Sequence, residues 1–294
     1  MKNIPNLFLI GSPKTGTTAL TKNITQHHEI YVPENSEERY FDHITFYDQP
    51  DTYDISEEDY LECYSNAGEY KYYLDDCALS MYNKKSIENI LELSPDAKFI
   101  IILRDPVEAS LSMHRQRLTY VDKKMREVSD DFMECWNLLE KRKKGEGYPK
   151  GCRNKFLFRY DLLYSYEKYL PYLQKKLGDK LFIGFYDEYK EKPDQFFEKL
   201  FDFLEIEKIQ IKSKKINESL VVQDSMVLDI LESFQTYTLP LRKKIGLSGL
   251  KSLKTKVLKL YQKKNGKVNV DAKVYDFFQP TYKYLAELKD ALKD

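Results

Sequence analysis

Leu7-Phe8-Leu9-Ile10-Gly11-Ser12-Pro13-Lys14-Thr15-Gly16-Thr17-Thr18 is the stretch on which the reading of this chain turns. Leu7 to Ile10 is a short apolar run of the kind a buried parallel strand needs, and the turn residues Gly11 to Gly16 follow at once. From Thr17 to Gln26 the spacing is helical, with Ala19, Leu20 and Ile24 on one side. Strand, glycine-bounded loop and helix N-terminus in this order make a cradle for phosphate. Backbone N–H groups converge on one point there, and the helix dipole favours negative charge.

The interval Gly11-x-x-x-x-Gly16 is that of a nucleotide P-loop, but the residues after it differ. A Walker loop carries Lys and then Ser or Thr directly after the second Gly, with the hydroxyl on Mg²⁺. Here Thr17 and Thr18 hold those places, and the loop's one lysine, Lys14, precedes the second Gly. A lysine so placed sits near a phosphate's bridging oxygen rather than across β- and γ-phosphates. An altered kinase or NTPase loop is the enzymatic alternative, and an ordinary strand-helix turn is the structural one. Mg²⁺ dependence separates the first from a metal-free reaction.

A second segment has the same logic. Lys98-Phe99-Ile100-Ile101-Ile102-Leu103 is a β-branched and aromatic run that reads as a central parallel strand. Arg104-Asp105-Pro106-Val107-Glu108 then ends the strand and opens a helix. Asp105 suits the N-cap, Pro106 the first helical position, and Glu108 the capping-box position. Arg104 at the strand end and Ser112 two turns into the helix have the chemistry to meet one anion, the guanidinium as a fork and the hydroxyl as a donor.

Taken together, these segments resemble those of sulfotransferases that use 3′-phosphoadenylyl sulfate (PAPS). Pro13-Lys14-Thr15-Gly16-Thr17-Thr18 is similar to that superfamily's 5′-phosphosulfate loop. Ile102-Leu103-Arg104-Asp105-Pro106 followed by Ser112 resembles its 3′-phosphate motif, Arg-x-Pro with a Ser eight residues after the Arg. The resemblance implies Lys14 at the leaving-group oxygen and Thr15, Gly16, Thr17 and Thr18 around the 5′-phosphate. It places Arg104 and Ser112 at the 3′-phosphate. Adenosine 3′,5′-bisphosphate would be the product, and no metal is required, because a sulfuryl group carries less charge than a phosphoryl group.

Within the superfamily, the carbohydrate sulfotransferases, heparan sulfate enzymes among them, carry Lys-Glu-x-x-(Phe/Tyr)-Phe-Asp after the first helix. Ser36-Glu37-Glu38-Arg39-Tyr40-Phe41-Asp42 resembles it, which implies Glu37 as the general base. Ser36 replaces the family lysine, and the doublet leaves Glu38 as an alternative base. Read without the family, Glu37 is one carboxylate in an acidic stretch from Glu29 to Glu62, in which Arg39 is the only basic residue. The implied acceptor is a hydroxyl or amine of a carbohydrate or glycolipid. The family's Thr/Ser-Pro-x-Tyr segment is poorly matched by Cys77-Ala78-Leu79-Ser80-Met81, on the acceptor side.

The rest of the chain fits one domain, residues 1–294, with no Gly/Ser/Pro-rich linker and no repeat. Tyr70–Leu74 and Leu181–Phe185 read as strands. Ser86–Leu93, Phe132–Lys144, Leu162–Leu177, the segment from Pro193 through Leu204, and Val274–Leu288 read as helices. Strands alternating with helices predict an α/β, P-loop-like three-layer fold with a central parallel sheet flanked by helices. Tyr166 loosely matches a tyrosine near the adenine or 3′-phosphate in relatives, with core packing as its other reading.

Charge and cysteines bound the context. Lys and Arg total 47 and so do Asp and Glu, for a formal net charge of zero. Arg242 to Lys267 nonetheless holds basic residues and no acidic ones, with Leu250, Leu253, Val257, Leu258 and Tyr261 at roughly helical intervals. This segment is either a basic amphipathic helix that meets an anionic glycan or lipid headgroups, or a solvated face on a packed helix. A noncatalytic anionic-glycan-binding protein is the non-enzymatic alternative. Nucleic acid is a poor partner, since no aromatic-basic platform accompanies the patch. Cys63, Cys77, Cys135 and Cys152 have no metal spacing and read as free thiols. His27-His28 reads as a helix C-cap, and His114 as a surface residue that otherwise faces the cofactor. With no signal peptide or long apolar run, the expected location is the cytoplasm.

Overall fold

Five strands lie side by side and all run parallel in the computed structural model of the chain. The structure describes residues 3–33, 56–152, 154–212, 221–222, 262–263 and 268–292. The strands are β1 (Leu7–Gly11), β2 (Ile30–Tyr31), β3 (Tyr72–Asp76), β4 (Lys98–Leu103) and β5 (Leu181–Phe185), in the spatial order β2-β3-β1-β4-β5. Leu7 pairs with Leu74 on one side and Lys98 on the other, and the β1–β4 register shifts between Leu9 and Gly11. The chain therefore leaves β1 toward one edge and crosses to the other after β3. In open parallel sheets, ligands bind at the carboxyl ends beside such a reversal. Here that crevice is flanked by β1 and β4.

Burial explains the run-like sequences. Every residue of β1 is buried, as is β4 after Lys98. On one face Leu7, Leu9, Ile100 and Ile102 pack with Leu20 and Ile24 of α1 (Thr17–Ile24) and with Phe196, Phe197, Leu200, Phe201 and Leu204 of α10 (Pro193–Leu204). On the other, Phe8 stacks on Phe99 with ring centroids 5.8 Å apart. A strand buried on both faces has no polar alternation, which is what the sequence shows.

Between these lie α2 (Glu57–Ser65), α3 (Lys84–Leu93), α4 (Pro106–Leu118), α5 (Phe132–Asn137), α6 (Leu139–Lys143), α7 (Tyr160–Leu163), α8 (Leu170–Leu177) and α9 (Tyr186–Glu191), with α11 (Ala272–Phe277) and α12 (Gln279–Ala291) near the end. The sequence reading missed α2. Ser56 caps it by accepting from the Asp59 amide, so the acidic first turn Glu57-Glu58-Asp59 belongs to a helix start rather than to a merely solvated stretch. Three helices read as continuous are divided. Leu162–Leu177 breaks before α8, which has Pro171 in its first turn, and Val274–Leu288 breaks at Phe278, with Pro280 in the first turn of α12. Proline lacks an N–H and disfavours helical backbone before it, so each starts a new helix. Phe132–Lys144 divides at Leu138 into α5 and α6.

The chain forms two compact units. The first holds residues 1–109, 162–216 and 277–294, and the second holds 110–161 and 217–276. In the second, the fully buried Arg142 donates from Nη1 and Nη2 to the two carboxylate oxygens of Glu127, at 2.9 and 2.7 Å. Tyr160 adds a donor to the same carboxylate at 2.5 Å, and Arg142 also reaches the carbonyls of Phe158 and Gly147. Burial pushes the Glu127 carboxyl up, but the hydrogen bonds and charge of Arg142 outweigh it and hold it below the usual carboxylate range. A two-residue antiparallel ladder, β6 (Val221–Val222) with β7 (Gln262–Lys263), also belongs to this unit.

Candidate functional site

The loop after β1 is built by its own backbone. Ser12 donates its N–H to the Ile102 carbonyl at 3.1 Å, which ties the loop's start to β4. The Thr15 hydroxyl donates to the Ser12 carbonyl at 2.6 Å. Lys14 and Gly16 adopt positive φ, at 67° and 94°. For a lysine this left-handed conformation is costly and persists only where the surroundings hold it. Gly16 needs no Cβ for a second reason, since one would lie 2.9 Å from the Tyr186 ring. Gly16 caps α1 with its carbonyl, accepting from the Ala19 and Leu20 amides, and among the described residues no side chain caps the first turn. The helix N-terminus thus presents backbone donors with its dipole behind them.

Of the residues expected here, Lys14 and Gly16 are half-buried, Thr15 and Thr17 buried, and Thr18 exposed in the first helical turn. Arg104 joins them. Its Nη1 donates to the Lys14 carbonyl at 3.2 Å, its guanidinium lies 4.6 Å from the Tyr186 ring centroid, and its Nη2 is 3.5 Å from a Glu108 carboxylate oxygen. Asp105 caps α4 as expected, accepting from the Glu108 amide at 2.8 Å. The Glu108 carboxylate is aimed at Arg104, so the capping box is used in one direction only. The Tyr282 hydroxyl donates to the other Asp105 oxygen at 2.9 Å, docking α12 on this corner.

Three tyrosines crowd the loop from below, and sequence reading had singled out only Tyr166. Tyr164, fully buried, donates its hydroxyl to the Pro13 carbonyl at 3.2 Å. Tyr82 donates to the Leu163 carbonyl at 2.8 Å, and burial pushes its phenol well up. Tyr166 is buried beside Ser12 and Arg104. Burial pushes its phenol up against their opposing pull, and among the described residues its hydroxyl completes no well-formed hydrogen bond. An orphaned buried donor, uncapped helix amides and a guanidinium with spare N–H groups are a donor set suited to an anion such as a nucleotide phosphate.

The other expected residues stand elsewhere. Ser112 lies two turns into α4, buried, in the second unit. Glu37 and Glu38, with the whole motif from Ser36 to Asp42, lie outside the described residues, as does Arg242–Lys267 apart from Gln262 and Lys263. His114 is not a surface residue. It is buried in the second unit, its Nε2 is 3.0 Å from the Ser129 carbonyl, and its ring meets Phe132 and Tyr160 edge-on. Burial lowers its pKa, keeping it neutral in the apolar setting. His27 is a bridge rather than a C-cap, for its Nδ1 accepts from the Glu29 amide and its Nε2 donates to the Glu207 carbonyl at 2.7 Å. No disulfide joins any of the four cysteines, of which Cys77 and Cys135 are buried and Cys63 and Cys152 half-buried. Among the described residues no helix is long and apolar enough to cross a membrane.

A parallel α/β sheet with a glycine-bounded loop running into a helix N-terminus at its reversal point defines the class, a protein of P-loop-like fold. Residues 5–224 match the family described as "Sulfotransferase domain", and the chain belongs to that family, the PAPS-dependent sulfotransferases. No curated protein matches the chain in sequence. Among solved structures it is similar to a sulfotransferase from Alicyclobacillus acidocaldarius, with a TM-score of 0.62 and 19% identity over 83% of this chain and 96% of that one. It also aligns with mouse sulfotransferase SULT7A1 complexed with PAP, with a TM-score of 0.41 and 16% identity over 79% of this chain and 64% of that one. The α/β fold expected from the sequence is the one observed.

Proposed function

We propose that this sulfotransferase moves the sulfuryl group of PAPS to a hydroxyl or amine of a carbohydrate or glycolipid. What supports the donor assignment is one contact, that of Arg104 with the Lys14 carbonyl, which sets the two phosphate-type motifs side by side at the ends of β1 and β4. Lys14 places its ammonium at the oxygen that bridges sulfur and the 5′-phosphate. Thr15, Gly16, Thr17 and Thr18 surround that phosphate with backbone and hydroxyl donors. Arg104 and Ser112 hold the 3′-phosphate.

Glu37 takes the acceptor's proton as its oxygen or nitrogen attacks sulfur. The new bond to sulfur forms as the bond to the bridging oxygen breaks, and the leaving phosphate keeps the electron pair beside Lys14. Positioning and fixed charge carry most of such a transfer. A base contributes about 10²–10⁴-fold. The sulfuryl group's low charge makes a metal unnecessary, so chelators leave the rate unchanged.

The carbohydrate preference rests on the resemblance of Ser36–Asp42 to the carbohydrate enzymes, and the acidic stretch around it fits an amine or neutral sugar better than a polyanion. Both compact units are read as parts of one cytoplasmic catalytic domain, and Arg242–Lys267 as a contact for anionic glycan or lipid headgroups. Incubation with labelled PAPS and a panel of saccharide, lipid-linked, phenolic and peptide acceptors, followed by mass spectrometry, tests the reading. Sulfated saccharide or glycolipid supports it. Tight binding of ATP with Mg²⁺ and no heat from adenosine 3′,5′-bisphosphate overturns it.

A further inference from the structure

Three consecutive carbonyls of the phosphate loop are each held by a donor. The Ser12 carbonyl accepts from the Thr15 hydroxyl, the Pro13 carbonyl from the Tyr164 hydroxyl, and the Lys14 carbonyl from Arg104 Nη1. The Ser12 hydroxyl also lies 3.4 Å from the Pro13 carbonyl. In a planar trans peptide the C=O and the following N–H point in opposite directions. Holding the Pro13 carbonyl therefore sets the direction of the Lys14 N–H, and holding the Lys14 carbonyl sets that of the Thr15 N–H. The loop needs these grips, because Lys14 sits at φ 67°, a conformation that persists in a non-glycine residue only where the surroundings hold it.

We propose that Tyr164 is a positioning residue for the donor's 5′-phosphate, acting through the Pro13 carbonyl. By the same geometry Arg104 serves both ends of the nucleotide, touching the 3′-phosphate and aiming the Thr15 amide at the 5′-phosphate. The inference rests on the PAPS reading above. Tyr164 is suited to the task because it cannot swing away. It is fully buried, its ring meets that of Tyr166 edge-on at 6.3 Å, and the preceding Leu163 carbonyl is anchored by Tyr82. A rigid donor fixes the carbonyl it grips, and a fixed carbonyl spares the loop the entropy of ordering when the nucleotide arrives. The Arg104 guanidinium lies over the Tyr186 ring, which leaves other N–H groups of its fork for a second acceptor.

A merely structural tyrosine would affect every ligand alike, so the test compares nucleotides that differ only in their phosphates. Wild type, Tyr164→Phe and Arg104→Lys are titrated calorimetrically with adenosine 3′,5′-bisphosphate, adenosine 5′-monophosphate and adenosine 3′-monophosphate. Tyr164→Phe is expected to weaken the two ligands bearing a 5′-phosphate by about five-fold, the worth of one hydrogen bond, and to leave the 3′-monophosphate unchanged. Arg104→Lys is expected to weaken all three, the 5′-monophosphate included. An equal loss on every ligand in Tyr164→Phe, or no loss, overturns its role while wild-type binding keeps the PAPS reading intact. An unaltered 5′-monophosphate affinity in Arg104→Lys overturns the second role of Arg104, and this arm still reads the loop if Tyr164→Phe does not fold. Wild type that binds none of the three overturns the PAPS reading and the inference together.

Discussion

Arg104 Nη1 and the Lys14 carbonyl oxygen are 3.2 Å apart across 90 residues of chain, and this contact couples the ends of two neighbouring strands. The guanidinium's ion pair with Glu108 is weak by comparison. Glu108 is more than half exposed and 3.5 Å away, and ion pairs of that kind contribute about 0–1 kcal/mol. The loop carbonyl and the Tyr186 ring therefore decide where Arg104 points.

Arg104→Ala is expected to raise the dissociation constant for adenosine 3′,5′-bisphosphate by about 10- to 100-fold, the range for losing charge-assisted hydrogen bonds of roughly 1.5–3 kcal/mol. Glu108→Ala should change it less than about three-fold. Calorimetry on the two variants checks this, and an unchanged constant in Arg104→Ala removes the residue from the site.

Lys14→Ala and Glu37→Gln should each cost turnover about 100-fold or more. The affinity of Glu37→Gln for adenosine 3′,5′-bisphosphate should stay at the wild-type value, since a base for the acceptor does not touch that nucleotide. Full turnover in Glu37→Gln together with loss in Glu38→Gln would move the base by one residue.

Gly16→Ala forces a side chain into φ 94° and against the Tyr186 ring. A loss of about 1–3 kcal/mol in unfolding free energy is expected, with a lower melting temperature. Adding Tyr186→Leu should restore part of it by making room, but not the part that comes from φ. Full restoration would mean that crowding alone excludes a side chain there.

The Glu127–Arg142 pair predicts an acid-dependent stability. Arg142→Met alone leaves a buried carboxylate uncompensated and should cost about 3–5 kcal/mol, whereas Glu127→Gln with Arg142→Met should recover much of that. Because the folded carboxyl titrates below its unfolded value, its contribution is full above the ordinary Glu range and fades as pH falls through the lowered folded value. Urea unfolding of wild type and the double variant at neutral pH and near pH 4 should show the gap narrowing in acid.

Much of this molecule could be read residue by residue. The apolar runs of β1 and β4 announced themselves because both strands are buried almost throughout, and the Phe-rich periodicity of α10 because its Phe and Leu positions form one buried face. Lys14, Gly16, Arg104 and the Asp105 cap were legible because short motifs force local backbone geometry. Tyr164 was not, because a fully buried tyrosine in an apolar run looks like core, and its bond to the Pro13 carbonyl spans 151 residues. His114 was misjudged for the same reason, as its ring is placed by Ser129, Phe132 and Tyr160 rather than by its neighbours in the helix. The splits before Pro171 and Pro280 were visible in principle, since proline's missing N–H acts within one turn.

What the amino-acid order decided alone is local: a strand that must be buried, a loop whose glycine permits a left-handed turn, a helix start with open amides, and an arginine followed by a capped helix. Those outcomes depend on torsions and hydrogen bonds within a few residues. Which carbonyls of the loop are gripped, and by what, was decided by the sheet order that makes β1 and β4 neighbours and by the tyrosines packed beneath. Such contacts depend on closing long stretches of chain against their entropy. Only the cooperative burial of the whole core supplies the free energy to do that, so no single segment could reveal them.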